Sequence, residues 1–137
     1  MNREELMTLL PHRDGMLLLD QLDKEGEMAH GQYHVRGDEW FLQGHFPDAP
    51  VVPGVILCEI MAQACGLLIG DEIKGKTPVY TGLDKVRFRN SVRPGDEIRV
   101  TARIERRMGN FFFAAAEAHV GDKLCVQGKL SFALLEG

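Results

Sequence analysis

The stretch Pro53-Gly54-Val55-Ile56-Leu57-Cys58-Glu59-Ile60-Met61-Ala62-Gln63-Ala64-Cys65-Gly66-Leu67-Leu68-Ile69-Gly70 decides the fold. Pro53 suits the first turn of a helix, where its missing N–H costs nothing. From residue 54 to residue 70 almost every side chain is apolar. The exceptions are Glu59 and Gln63, four apart, and Gly66 and Gly70 continue their stripe. At 100° per residue these four fall within roughly 60° of one another. A helix apolar nearly all round is a buried helix. This one carries a narrow polar and glycine seam.

Outward from that helix, the C-terminal half reads as antiparallel sheet. Ile98, Val100, Ala102 and Ile104 alternate with Arg99, Thr101, Arg103 and Glu105, and Leu124, Val126, Leu130, Phe132 and Leu134 share one parity. Turn signals fall between the runs at Arg93-Pro94-Gly95-Asp96, Met108-Gly109-Asn110 and Gly121-Asp122. On the N-terminal side, residues 16–22 and 28–35 are strand candidates. Residues 40–53, with Gly44, Pro47, Pro50 and Pro53, read as loop. The expected architecture is α+β: one long central helix wrapped by a sheet, with one or two strands before the helix and a meander of about four after it. It forms a single domain over residues 1–137.

Composition narrows the function. A formal net charge of −4 disfavours nucleic acid as a partner, because phosphate binding needs a basic face. Cys58, Cys65 and Cys125 are too few and too irregular for a disulfide framework. On a helix Cys58 and Cys65 stand roughly 10 Å apart, too far to bridge. All three read as small buried hydrophobes. The polar Met1-Asn2-Arg3-Glu4-Glu5 start is not a signal peptide, and no apolar run has the length of a membrane span. A cytoplasmic location is expected.

Glu59 draws attention because burying a carboxylate is costly unless it is paired, protonated or used. It is either a Glu on the helix's wet edge, a Glu bonded to Gln63, or a catalytic acid. His45 favours the last, since Gln43-Gly44-His45-Phe46-Pro47 holds a histidine in a stiff loop just before the helix. The N–H groups of Gly54 and Val55 leave the helix's positive end unpaired and are suited to hold a polarised carbonyl oxygen. His30 and His34 share a strand face with Gln32 but lack a third strong ligand, so no metal site is expected. His12 and His119 read as surface or capping residues. Lys85, Arg87 and Arg89 recur with period two near Arg93, either as a solvated strand face or as a docking patch for an acidic partner. Trp40, Phe41, Phe46 and Phe88 are candidates to line an apolar tunnel or to fill the core.

The run from Gln43 through His45-Phe46-Pro47, Pro53-Gly54-Val55 and Glu59-Ile60-Met61-Ala62-Gln63 closely resembles the FabZ-type 3-hydroxyacyl-(acyl carrier protein) dehydratases of type II fatty acid synthesis. Leu10-Pro11-His12-Arg13, Gly82-Leu83-Asp84-Lys85-Val86-Arg87-Phe88-Arg89 and Val92-Arg93-Pro94-Gly95-Asp96 extend the likeness over nearly the whole chain. Departures are Asp14-Gly15-Met16, Asp48 and Phe111-Phe112-Phe113. The resemblance implies a hot-dog fold and a homodimer, often a trimer of dimers. It also implies an acyl thioester substrate carried on acyl carrier protein, docked through Lys85, Arg87, Arg89 and Arg93.

By position, the resemblance makes His45 the base and Glu59 the acid. Gly54 supplies the N–H that binds the thioester carbonyl, and Gln63 orients the acid. Val55, Phe46 and Phe88 are expected at the substrate. A sister type, the dehydratase–isomerase, has Asp at the Glu59 position, so Glu favours simple dehydration. The expected reaction converts a (3R)-hydroxyacyl thioester into a trans-2-enoyl thioester without metal or organic cofactor, with the pKa of Glu59 raised by apolar surroundings. The rivals are a hot-dog acyl thioesterase and a non-catalytic acyl-binding subunit.

Overall fold

The computed structural model describes residues 1–10, 12–43, 50–73 and 75–136. Helix α1 (Arg3–Leu9) opens the chain, closed by a capping box between Asn2 and Glu5. Strands β1 (Gln21–Glu25) and β2 (Met28–His34) form a hairpin. Helix α2 (Gly54–Ile69) follows, then β3 (Lys76–Phe88), β4 (Glu97–Met108), β5 (Phe111–Val120) and β6 (Lys123–Glu136). Pro53 stands at the N-cap of α2, one residue before its first turn, and Gly70 ends the helix with φ 29°. Gly70 therefore closes the helix and does not extend its seam.

All pairings are antiparallel, in the order β1-β2-β4-β5-β6-β3. The expected four-strand meander holds only for β4, β5 and β6. Strand β3 does not neighbour β4; it pairs with β6 at the opposite edge. Helix α2 lies along one face and packs against β1, β2, β4, β5 and β6. The alternating residues Ile98, Val100 and Ala102 of β4 are buried beneath it, as their parity requires.

Residues 16–22 do not form one strand. Leu17, Leu18 and Leu19 are consecutively buried, which a strand with one wet face cannot achieve. They run as irregular chain beside α2, and regular pairing begins only at Gln21. Cys58, Cys65 and Cys125 are buried free thiols; burial pushes the Cys65 thiol up to about 12.

Candidate active site

Helix α2 is buried on most of its surface, yet Glu59 and Gln63 come out where the sequence seam places them. Gln63 is only 1% exposed, and its amide is fully engaged. Oε1 accepts from the Leu18 N–H at 2.9 Å, and Nε2 donates to the Met16 carbonyl at 2.7 Å and to Glu59 Oε2 at 3.1 Å. The glutamine thus ties the N-terminal segment to the helix as well as orienting the carboxyl. Gly66, one turn on, accepts the Leu10 side chain: a Cβ there would stand 2.5 Å from Leu10 Cδ2.

His12 overturns its reading as a surface or capping residue. Its Nε2 lies 3.2 Å from Glu59 Oε2, with both side chains roughly four-fifths buried (23% and 19% exposed). Nothing local in Leu10-Pro11-His12-Arg13 says that this segment returns to the helix. Tyr80 of β3, whose hydroxyl donates to the Cys58 carbonyl at 3.1 Å, completes the surroundings. A cavity of about 320 Å³ opens here, lined by His12, Glu59, Gln63, Gly66, Ile69 and Tyr80 among others.

Glu59 does not take the expected pKa. Burial pushes the carboxyl up, but contacts from His12, Gln63 and Tyr80 together outweigh it and hold the group below the ordinary glutamate value. The surroundings are apolar, as the sequence indicated. The donors that reach in from the N-terminal segment and β3 reverse the sign.

The start of α2 faces a second cavity, of about 500 Å³, lined by Gly54, Val55, Phe88, Arg89 and neighbours. The first carbonyl-bound amides of the helix are those of Ile56 and Leu57, which donate to the Pro53 carbonyl at 2.9 and 3.3 Å. Gly54 and Val55 keep free N–H groups among the described residues. A Cβ on Gly54 would meet Phe88 Cε1 at 2.8 Å, so glycine is what lets the Phe88 ring close over the helix start. His45 and Phe46 lie outside the described residues, as does Asp48.

The basic residues Lys85, Arg87, Arg89 and Arg93 are all exposed, but they do not form the period-two row that the sequence suggested. A bulge between Asp84 and Arg87 breaks the register with β6, and Lys85 adopts φ 53°. Lys85 faces a cavity with Arg103, Glu117 and Lys129, whereas Arg89 joins the cavity at the helix start. Phe41 is core, 5% exposed. Trp40 is half exposed and donates its indole N–H to the Gly15 carbonyl at 3.0 Å. His30 and His34 each lie beside a separate carboxylate, Glu25 at 3.8 Å and Glu97 at 3.4 Å.

Comparison with known proteins places this geometry. The FabA-like domain family matches residues 10–129. A 3-hydroxyacyl-(acyl-carrier-protein) dehydratase FabZ of Natranaerobius thermophilus is 43% identical over 136 residues, covering 96% of each chain. The protein of the same name from Clostridioides difficile is 41% identical over 99% of each chain. Among solved structures, the dehydratase heterocomplex ApeI:P from Xenorhabdus doucetiae superposes with a TM-score of 0.80 at 23% identity, covering 94% of this chain and 90% of that one. The fluoroacetyl-CoA thioesterase FlK superposes at 0.70 with 18% identity over 83% of this chain and 89% of its own. One fold thus serves dehydratases and a thioesterase alike, and the sequence relatives separate the two.

Proposed function

The chain belongs to the FabA-like dehydratase family, and we propose that it removes water from (3R)-hydroxyacyl groups carried on acyl carrier protein, giving trans-2-enoyl thioesters in fatty acid synthesis. The observation that carries the catalytic assignment is Glu59: a carboxyl on a buried helix, four-fifths covered, held by a Gln63 hydrogen bond and a His12 contact, and opening onto an apolar cavity.

The N–H of Gly54 holds the thioester carbonyl oxygen and makes the α-proton more acidic; one such donor is typically worth about 3 kcal/mol in the barrier. Neutral His45 takes the α-proton. Its bonding electrons form the C2–C3 double bond, the C3–O bond breaks, and Glu59 protonates the departing oxygen, so that water leaves. The same pair run backwards hydrates an enoyl thioester. Contacts with His12, Gln63 and Tyr80 hold Glu59 below the ordinary glutamate pKa in the chain without substrate. An acyl chain that fills the 320 Å³ cavity removes water from the carboxyl, and burial is the influence that raises its pKa.

The active site is shared between two copies, with His45 and Gly54 from one chain and Glu59 from the other, in a cytoplasmic homodimer or trimer of dimers. Support comes from the separation of Gly54 and Glu59 into different cavities of one chain. Docking of the acidic carrier falls to the exposed Lys85, Arg87, Arg89 and Arg93. The test is to mix inactive His45→Ala chains with inactive Glu59→Gln chains after dissociation, assaying formation of the enoyl thioester. A mixed dimer has one doubly defective site and one intact site, and half of randomly re-paired dimers are mixed. Activity should recover to roughly a quarter of wild type. No recovery despite demonstrated subunit exchange would place both residues in one chain.

A further inference from the structure

We infer that His12 is a positioning residue for this dehydration: its Nε2 contact with Oε2 of Glu59, made alongside the Gln63 hydrogen bond, turns Oε1 toward the departing hydroxyl. The inference rests on the reading of Glu59 as the acid.

Two nitrogens converge on one oxygen: Gln63 Nε2 donates to it at 3.1 Å, and His12 Nε2 lies at ion-pair distance, 3.2 Å. A carboxyl oxygen has two lone pairs in the carboxyl plane. With both nitrogens beside it, Oε2 is the crowded oxygen, and Oε1 is the one left open to a proton. The proton that goes to the substrate must sit on Oε1, so two residues select one oxygen by occupying the other.

The placement of His12 is built into the fold. The Arg13 guanidinium donates to the carbonyls of Met7, Leu10 and His12 at 2.9, 2.8 and 2.7 Å, which pins the backbone on either side of the ring. Gln63 secures the same segment at Met16 and Leu18. The ring's other nitrogen, Nδ1, is buried without a hydrogen-bond partner among the described residues. A buried polar atom left unpaired is costly, so the imidazole is held here for the sake of its Nε2 contact. His30 and His34, by contrast, pair with carboxylates while about half exposed, at 45% and 50%.

The groups near Glu59 among the described residues are His12 from the N-terminal segment, Gln63 and Cys58 from α2, and Tyr80 from β3. Three variants separate positioning from bulk structure. His12→Leu removes the donor at similar size, and His12→Asn has an amide one methylene too short. His12→Gln restores an N–H at the reach of Nε2. Each is melted to verify folding, assayed for kcat and KM, and titrated by 13C NMR of the glutamate carboxyls, with Glu59 assigned by its absence from Glu59→Gln. Leu and Asn variants should lose roughly ten- to a hundredfold in kcat with KM within about twofold. Their Glu59 titration should move upward, and His12→Gln should recover most of both. A Glu59 titration unmoved in folded His12→Leu and His12→Asn, or equal kcat losses in all three variants, would overturn the inference. A shifted titration with unchanged kcat would also overturn the catalytic role of His12, and would trace the failure to Glu59 not being the acid.

Discussion

Replacing Gln63 with leucine should destabilise the fold more than it impairs chemistry directly, although the sequence suggests only an orienting role. Three hydrogen bonds disappear. The Leu18 N–H is fully buried, and its loss of a partner costs about 1–3 kcal/mol. The Met16 carbonyl and Glu59 are partly reached by solvent, so each adds about 0.5–1.5 kcal/mol. The added apolar volume of leucine offsets some of this, leaving a net loss of about 2–4 kcal/mol. With an unfolding entropy of about 2.1 cal/mol/K per residue, the Tm of a chain this size falls by roughly 7–14 °C. Urea and thermal unfolding measure the loss. Gln63→Glu is the informative control: it keeps an acceptor for Leu18 but sets a second carboxyl beside Glu59. Its stability deficit should be smaller near pH 4, where the pair can share protons, than at pH 7. A Gln63→Leu protein within about 0.5 kcal/mol of wild type would refute the reasoning that this amide joins the N-terminal segment to the helix.

Turnover of carrier-linked substrate should fall with added salt while a short pantetheine analogue is barely affected, because docking by exposed charges is screened beyond about 10 Å at 0.1 M. Arg89→Ala should matter more than Lys85→Ala, since only Arg89 borders the cavity at the helix start, and equal salt responses for the two substrates would reduce the cluster to a solvated face. Burial pushes the Glu39 carboxyl up, but it ends below the ordinary value because it accepts from the Tyr33 hydroxyl and from the N–H groups of Arg36 and Gly37. A depressed carboxyl stabilises above its unfolded pKa, about 4.3, so wild type should exceed Glu39→Gln in stability at pH 7, with the gap closing as the pH falls through and below that value; a gap that stays constant from pH 7 to pH 3 would refute this.

The helix and its seam were legible because their information is local: an apolar run, two polar residues four apart, a proline before and a glycine after. The β4 alternation was legible for the same reason. What escaped depended on pairing across the chain. The placement of β3 beside β6 is set by where the chain leaves α2, and no periodicity encodes that. Leu17, Leu18 and Leu19 looked like strand because composition alone does not show that all three are buried. His12 is the sharpest case. A histidine between a proline and an arginine carries no local mark of function, and its importance appears only when residues far apart in sequence meet at Glu59. The same contact, with those of Gln63 and Tyr80, reverses the expected direction of the Glu59 pKa.

Helix geometry also supports the proposal that two chains share each site. Glu59 lies five residues beyond Gly54, about 7.5 Å along the axis and about 140° around it. The Gly54 N–H points back out of the helix end, while the Glu59 carboxyl projects sideways into a different cavity. In the substrate, the carbonyl oxygen and the 3-hydroxyl are joined through three carbons and stand only about 5 Å apart at bond lengths near 1.5 Å. One helix does not present both groups to a molecule that small. Two helices related by a two-fold axis do, because the axis lets the helix start of one chain face the carboxyl of the other. In the proposed dimer there would be two identical sites, each with one helix start and one acid. The polar seam fits that proposal at Glu59: Gln63 and Gly66 are covered by the chain's own N-terminal segment, whereas the Glu59 carboxyl opens onto the cavity.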